Sequence, residues 1–118
     1  MGPAELERTL EGAREIEITV TGRRTGRQIT IPVWFVKEDE KLYLLPLRGS
    51  DTDWYRNLLR NPTIRVAAGG AEHTSKAAPV TDPGRVSEVV DKFRRKYGSR
   101  DVEAYYSKLD VAVEVPLS

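Results

Sequence analysis

The sequence lacks the residues on which several common kinds of chemistry depend. It contains no cysteine, which excludes disulfides, thiolate nucleophiles and cysteine-ligated metals. Its one histidine, His73, cannot build a typical zinc site alone, and its neighbours form no catalytic triad. No Gly-x-Ser-x-Gly, Walker or Rossmann motif is present. If the protein is an enzyme, we therefore expect a bound cofactor to carry the difficult chemistry.

Charge and hydropathy argue against two further classes of protein. The 118 residues include 19 lysines and arginines against 18 aspartates and glutamates, so the net charge is +1. Proteins that bind nucleic acid normally carry more clustered positive charge. No stretch approaches the ~18–20 apolar residues of a membrane span, and the N-terminal residues lack the apolar core of a signal peptide. We therefore expect a cytoplasmic protein without a membrane span, built as one domain over residues 1–118.

Alternating residues predict a mostly β fold. Ile16, Ile18 and Val20 alternate with glutamate and threonine, which is typical of a strand with one solvent-exposed face. A second alternating run begins at Ile29 and becomes apolar on both faces by Val36. The short connections between the early strands predict antiparallel pairing. The predicted strands are 15–21, 29–36, 42–47, 63–67, 72–80 and 111–115, the fifth of them polar enough for a sheet edge.

Helical signals are fewer and are strongest late in the chain. The clearest helix begins behind Asp82, a natural N-cap, and Pro83, which suits the first helical position. A doubly wound α/β sheet would need more helices than the sequence offers. We therefore predict a small β-barrel of about six antiparallel strands, with a helical segment near 83–107. The predicted helices are 3–13, a short one between Asp51 and Pro62, 83–97 and 101–109.

The loop TGRRTGR, residues 21–27, carries three arginines in a chain that is otherwise nearly neutral. Glycines permit a tight turn with exposed amides, and arginine forks match phosphate or carboxylate oxygens. This loop is therefore either a solvated hairpin tip or an anion site. Three further segments could each serve a ligand or only capping and packing: LRGSD at 47–51, WYRN at 54–57, and the late tyrosines Tyr97, Tyr105 and Tyr106.

Four blocks, GRRTGR, IPVWFV, LYLLPLRGS and WYRNLLRNP, occur in an order and spacing that resembles the deazaflavin-dependent nitroreductase family. Members of that family are small split-β-barrel oxidoreductases related in fold to FMN-binding barrels. The resemblance extends over about residues 16–116. It implies that the coenzyme F420 binds in a groove of the barrel. The reduced coenzyme would then give a hydride to a small electron-poor acceptor, such as a quinone, nitro compound or enone.

The resemblance also implies roles for individual residues. The basic loop would meet the phosphate and tail of the coenzyme, while the following strand, the Arg-Gly turn and the next helix start would enclose the ring. The acceptor-side or catalytic residues would be Tyr97, which matches well, and Tyr105 and Tyr106, which match loosely. The implied coenzyme-binding residues are Gly22, Arg23, Arg24, Thr25, Gly26, Arg27, Ile31, Pro32, Val33, Trp34, Leu47, Arg48, Gly49, Ser50, Trp54, Tyr55 and Asn57.

Two positions depart from the family pattern. Ile29 stands where the family often has arginine, and Leu47 stands where it has serine, so we expect a polar contact to the coenzyme to be lost at each. The N-terminal extension of the nitroreductase members is nearly absent, which implies a more open site. Two alternatives stay open: an FMN-binding reductase, and a non-catalytic binder of a coenzyme or amphipathic ligand. The resemblance further implies a homodimer.

Overall fold

Two four-stranded antiparallel sheets form the frame of the protein, whose computed structural model describes the backbone of residues 3–117 and the side chains of residues 6–117. The short connections had predicted this antiparallel pairing. The first sheet contains, in spatial order, β2 (Gln28–Val33), β1 (Ile16–Thr21), β5 (Thr63–Ala68) and β6 (Ala71–Lys76). The second contains β3 (Val36–Glu38), β4 (Lys41–Leu44), β8 (Ala112–Pro116) and β7 (Ala78–Val80).

Two of the predicted strands cross from one sheet to the other, which gives eight strands in the described range instead of about six. The predicted strand 29–36 divides at Trp34 and Phe35, and the predicted strand 72–80 divides at Ala77. Neither break carries a glycine or proline that would mark a turn, so the sequence pattern does not reveal them. Strands that change sheets in this way form the corners between packed sheets. Both products of the polar fifth strand, β6 and β7, are edge strands, which confirms that part of the prediction.

The helices lie close to the predicted segments. Helix α3 (Pro83–Tyr97) is capped by the Asp82 carboxylate, which accepts a hydrogen bond from the Arg85 amide at 3.0 Å. The segment predicted at 101–109 begins and ends earlier, because Tyr106 turns to extended backbone and Lys108 forms a β-bridge with Arg48. In the described residues no helix is long and apolar enough to cross a membrane. The helices are α1 (Pro3–Glu11), α2 (Asp53–Arg60), α3 (Pro83–Tyr97) and α4 (Ser99–Tyr105), with a 3-10 turn at Gly49–Asp51.

The apolar core has two parts, one on each face of the second sheet. Ile18, Leu44 and Val66 belong to the cluster between the sheets, while Phe93 and Val102 belong to the cluster under α3 and α4. α2 packs against β1 in the first sheet. The neighbouring strand β2 is therefore an edge strand with α2 beside it, and this arrangement forms the groove described next.

Candidate functional site

A groove runs between the edge strand β2 and helix α2. In the β1–β2 register, Ile29, Ile31 and Val33 pair with the core residues of β1 and so share their face of the sheet. Exposure increases along β2 away from the core, since Val33 is buried, Ile31 is half-buried and Ile29 is 39% exposed. Strand and helix together line two cavities, one apolar and one basic.

The first cavity, here called the apolar cleft, has a volume of about 280 Å³. Four aromatic side chains contribute to its walls, and Thr52 is its one polar side chain. The hydroxyl of Thr52 already accepts a hydrogen bond from the Arg48 amide at 2.8 Å. A flat, uncharged ring system would therefore meet mainly apolar and aromatic surface here. The lining residues are Ile31, Pro32, Val33, Trp34, Leu45, Leu47, Thr52, Trp54, Tyr105 and Tyr106.

Trp34 forms the fixed aromatic wall of the apolar cleft. Its ring lies between two tyrosine rings, with centroids 4.3 Å from Tyr97 at an interplanar angle of 7° and 4.4 Å from Tyr105 at 24°. The Arg14 guanidinium lies 5.5 Å from the Trp34 ring centroid and 5.2 Å from that of Tyr97. These stacking and cation–π contacts hold the indole in one orientation.

The second cavity, here called the basic pocket, has a volume of about 210 Å³ and lies at the β1–β2 loop. The loop is a closed turn, because the Gly22 amide donates to the Arg27 carbonyl at 2.8 Å and the Gly26 amide donates to the Gly22 carbonyl at 2.9 Å. Gly26 has φ +72°, a left-handed conformation that other residues rarely adopt. The pocket is lined by Gly22, Arg23, Arg24, Thr25, Ile29, Asp53 and Asn57.

The two arginines of the basic pocket are in different states. Arg23 is anchored to α2: its backbone amide and its Nη1 both donate to Asn57 Oδ1, at 3.0 and 2.8 Å. Its Nη2 also lies 3.5 Å from Asp53 Oδ1. The guanidinium of Arg24 is exposed and makes no ion pair with any described residue. Arg24 is thus free to meet an external anion, while Arg23 mainly fixes the loop on the helix.

Several residues implied as coenzyme ligands line neither cavity. Gly26 and Arg27 are exposed on the far side of the loop, and Tyr55 is buried in the core cluster. Of the adjacent aromatics in α2, only Trp54 reaches the apolar cleft. The groove therefore brings together most of the predicted coenzyme-binding residues, but not these three or the turn Arg48-Gly49-Ser50.

The Arg48-Gly49-Ser50 turn is held by the protein itself. The Ser50 amide and hydroxyl donate to the Asp110 carboxylate at 2.9 and 2.6 Å. Gly49 has φ +53°, and a Cβ at that position would lie 1.9 Å from Asp110 Oδ1. Arg48 is exposed, and only the preceding Leu47 lines a cavity. The hydrogen-bonding groups of Ser50 are thus used within the fold.

Tyr97 does not present its hydroxyl to the cleft, in contrast to the expectation from the resemblance. The hydroxyl accepts from the Phe35 amide at 3.1 Å and lies 2.7 Å from the Arg14 carbonyl and 2.9 Å from the Phe35 carbonyl, either of which can accept its proton. Burial raises the pKa of Tyr97 to about 12. The phenol of Tyr97 thus bridges two backbone segments, and its ring supports Trp34.

Tyr105 and Tyr106 do line the apolar cleft. Tyr105 is 43% exposed and stacks on Trp34, whereas Tyr106 is 5% exposed. Burial is the main cause that raises the pKa of Tyr106, so its phenol is neutral at physiological pH. The phenol forms no hydrogen bond with the described residues. Tyr105 and Tyr106, unlike Tyr97, thus line the apolar cleft.

Three lining residues carried no signal that the sequence reasoning used. Leu45 lies within a predicted strand, and Thr52 lies within the segment predicted as a short helix. Asp53 is an acidic residue in the first turn of α2, which is common at a helix start. Only the approach of α2 to the basic loop makes these residues part of the groove, and that approach depends on the tertiary fold.

A cavity larger than either of these two lies elsewhere. It has a volume of about 400 Å³ and lies between α3 and residues 109–110. Its floor includes the core residues Val86 and Val90, and none of the residues implied by the resemblance lines it. We assign the candidate site to the groove because the basic pocket and the aromatic cleft adjoin one another there.

Comparison with solved structures identifies the fold. An F420-H2-dependent reductase (FDR-A) is 21% identical over 86% of this chain and 93% of its own, with a TM-score of 0.68. A Bacteroides thetaiotaomicron protein assigned to 5-nitroimidazole antibiotic resistance is 17% identical over 96% of this chain and 78% of its own, with a TM-score of 0.73. The heme storage protein HutZ of Vibrio cholerae is 14% identical over 98% of this chain and 90% of its own, with a TM-score of 0.72.

These likenesses confirm the split β-barrel fold that the sequence predicts, and with it the resemblance to split-barrel flavin and deazaflavin proteins. A search of the curated proteins finds no match. The family model for "Uncharacterized protein conserved in bacteria (DUF2255)" matches residues 5–113, which is nearly the whole chain. The chain therefore belongs to the DUF2255 family and has the split β-barrel fold of flavin-binding proteins.

Proposed function

We propose that the protein is a reductase that binds the deazaflavin coenzyme F420 along the groove between β2 and α2. The coenzyme, when bound in its reduced form, would supply the hydride for a small electron-poor acceptor. The protein would contribute binding, orientation and exclusion of water. FMN is the second candidate coenzyme, because its ring and phosphate could occupy the same two cavities.

The observation that carries this proposal is the pairing of an apolar cleft with a basic pocket along one strand. Four large hydrophobic residues of the described chain are exposed: Ile29, Leu47, Leu59 and Tyr105. Three of them, all except Leu59, line the two cavities. Exposed apolar surface gathered in one concave site is characteristic of a ligand-binding groove, and a ligand with a flat ring and an anionic tail suits both ends.

Each end of the groove has a defined role in the proposal. Arg24 would hold the phosphate, on the loop that Arg23 and Asn57 fix to α2. Trp34 and Trp54 would flank the ring, because both line the apolar cleft. Tyr106 would orient the acceptor through its neutral phenol, since the described residues leave that hydroxyl without a partner. A second copy of the chain that packs on the exposed rim of the groove would complete the homodimer that the resemblance implies.

Fluorescence titration with F420 and with FMN tests the proposal. We expect saturable binding of F420 and weaker binding for Arg24→Ala, by about tenfold or more if one charge-assisted contact is lost. Arg95→Ala is the matched control, because Arg95 is an exposed arginine on α3 that lines neither cavity. Binding of FMN but not of F420 would identify FMN as the coenzyme. Binding of neither would refute the oxidoreductase assignment.

Turnover separates a reductase from a carrier. The reduced coenzyme, the protein and a quinone or nitro acceptor are mixed, and loss of the reduced coenzyme is followed by absorbance. A reductase accelerates this loss in proportion to protein concentration. Tight binding without acceleration for any acceptor would favour the non-catalytic binder.

A further inference from the structure

The basic pocket contains a carboxylate as well as its two arginines. Asp53 lines the pocket beside Arg23 and Arg24, so two guanidinium groups and one carboxylate give it a formal charge of one positive unit. An acidic side chain in an anion site opposes the ligand it is meant to hold. Its presence therefore bears on which anion the pocket accepts.

The contacts of Asp53 show how it would act. Its Oδ1 lies 3.5 Å from Arg23 Nη2, and its backbone carbonyl accepts from Arg23 Nη1 at 3.4 Å. The Asp53 side chain is 77% exposed, whereas that of Arg23 is 20% exposed. The carboxylate thus covers the solvent side of the anchored arginine, at the place where an incoming anion would approach. Arg24 is left as the uncompensated charge.

We propose that Asp53 is a specificity determinant of the basic pocket, which it restricts to a singly charged phosphate diester in preference to a doubly charged phosphate monoester. This inference rests on the proposed function, which supplies the two candidate coenzymes. The phosphate of F420 is a diester, and that of FMN is a monoester that carries close to two charges at neutral pH. At the phosphate itself, Asp53 therefore disfavours FMN more than F420.

The reasoning is electrostatic. Repulsion between Asp53 and a phosphate group in the pocket scales with the charge of that group, so removal of the carboxylate favours a dianionic phosphate more than a monoanionic one. Asn57 would still hold the loop in an Asp53→Asn variant, because it binds both the amide and the guanidinium of Arg23. Asparagine also keeps the shape of the side chain and an oxygen that can accept from Arg23. The variant therefore changes charge with little change in geometry.

The test measures the dissociation constants of F420, FMN and riboflavin for the wild type, Asp53→Asn and Asp91→Asn. Asp91 forms a comparable exposed ion pair, with Arg94 at 3.2 Å on α3, and so controls for the loss of a surface charge. We expect Asp53→Asn to tighten FMN by about fivefold, the size of one exposed charge pair. Riboflavin, which has no phosphate, should not change.

A second arm needs no coenzyme. Inorganic phosphate raises the unfolding temperature of a protein whose folded state binds it. The part of that rise that is lost in Arg24→Ala is due to phosphate bound in the basic pocket. Asp53→Asn should enlarge this part at pH 8. Equal tightening of FMN and riboflavin, or no change in the phosphate-dependent rise, would overturn the inference. If the wild type binds neither coenzyme, the proposed function fails and the phosphate arm still decides the role of Asp53.

Discussion

Substitution of Tyr97 by phenylalanine removes one oxygen atom from the middle of the fold. That oxygen accepts from the Phe35 amide at 3.1 Å and lies 2.7 Å from the Arg14 carbonyl. Tyr97 is the last residue of α3. Its oxygen joins the segment after α1 to the corner between β2 and β3. The Phe35 carbonyl keeps a partner in the variant, because Lys96 Nζ also donates to it at 2.8 Å.

The magnitude follows from the groups that lose their partner. The Phe35 amide belongs to a residue that is 0% exposed. A buried donor without a partner costs about 1–3 kcal/mol of stability. The Arg14 carbonyl belongs to an exposed residue, so water can replace the phenol there. We expect Tyr97→Phe to lower the free energy of unfolding by about 2 kcal/mol, or the unfolding temperature by about 5–10 °C.

The pH dependence gives a second signature. The pKa of Tyr97 is raised to about 12 in the folded state, against about 10 for an unperturbed tyrosine. The stability linked to this shift is fully present below about pH 10 and is lost as the pH rises through about 12. Tyr97→Phe removes this component, so its stability should fall less than that of the wild type across that interval.

Urea unfolding of the wild type, Tyr97→Phe and Tyr105→Phe is the assay. Tyr105 also stacks on Trp34, but it is exposed and its hydroxyl forms no hydrogen bond with the described residues. Its substitution should therefore change the free energy of unfolding by less than about 0.5 kcal/mol. If Tyr97→Phe is as mild as Tyr105→Phe, the phenol does not bridge the two segments and our assignment of a supporting role to Tyr97 is wrong.

Three further predictions concern the turn beside the groove and the aromatic wall. Gly49→Ala should destabilise by more than about 2 kcal/mol in thermal unfolding, because the new Cβ meets Asp110 at a positive φ; a stability equal to the wild type would refute the clash. Asp110→Asn should make the free energy of unfolding depend less on pH in the acid range. Hydrogen bonds from Ser50 lower the pKa of Asp110. The stabilisation by the Asp110 carboxylate is therefore present above the usual aspartate pKa and is lost as the pH falls through the lowered value. Trp34→Leu should weaken coenzyme binding in titration while it leaves the phosphate-dependent rise in unfolding temperature intact, and loss of both would show that the loop depends on the indole.

The fold could be predicted from the sequence where its signals are local. Alternation in β1, the Asp82 cap and the polar character of residues 72–76 all report on neighbours within a few residues. The corners at Trp34-Phe35 and at Ala77 could not, since the chain bends there to satisfy packing between two sheets. Neither position carries a glycine or proline that would mark a turn.

The residues that line the groove could be predicted better than the role of each residue. The resemblance implicated Arg23 and Arg24 together, yet only the structure distinguishes them. Arg23 is captured by Asn57, 34 residues away along the chain, and by Asp53, 30 residues away. A hydrogen bond over that separation depends on the approach of α2 to the loop, which no short sequence pattern encodes. The same holds for the phenol of Tyr97, whose backbone partners come from two distant segments.

The central claim, that one groove binds both ends of a flavin-like coenzyme, is tested most directly by amide and indole chemical shifts on addition of F420. We predict that the largest changes fall on residues 22–25 and on the indole groups of Trp34 and Trp54, with none at Ser87 or Arg94. Changes centred instead on the larger cavity between α3 and residues 109–110 would contradict the account.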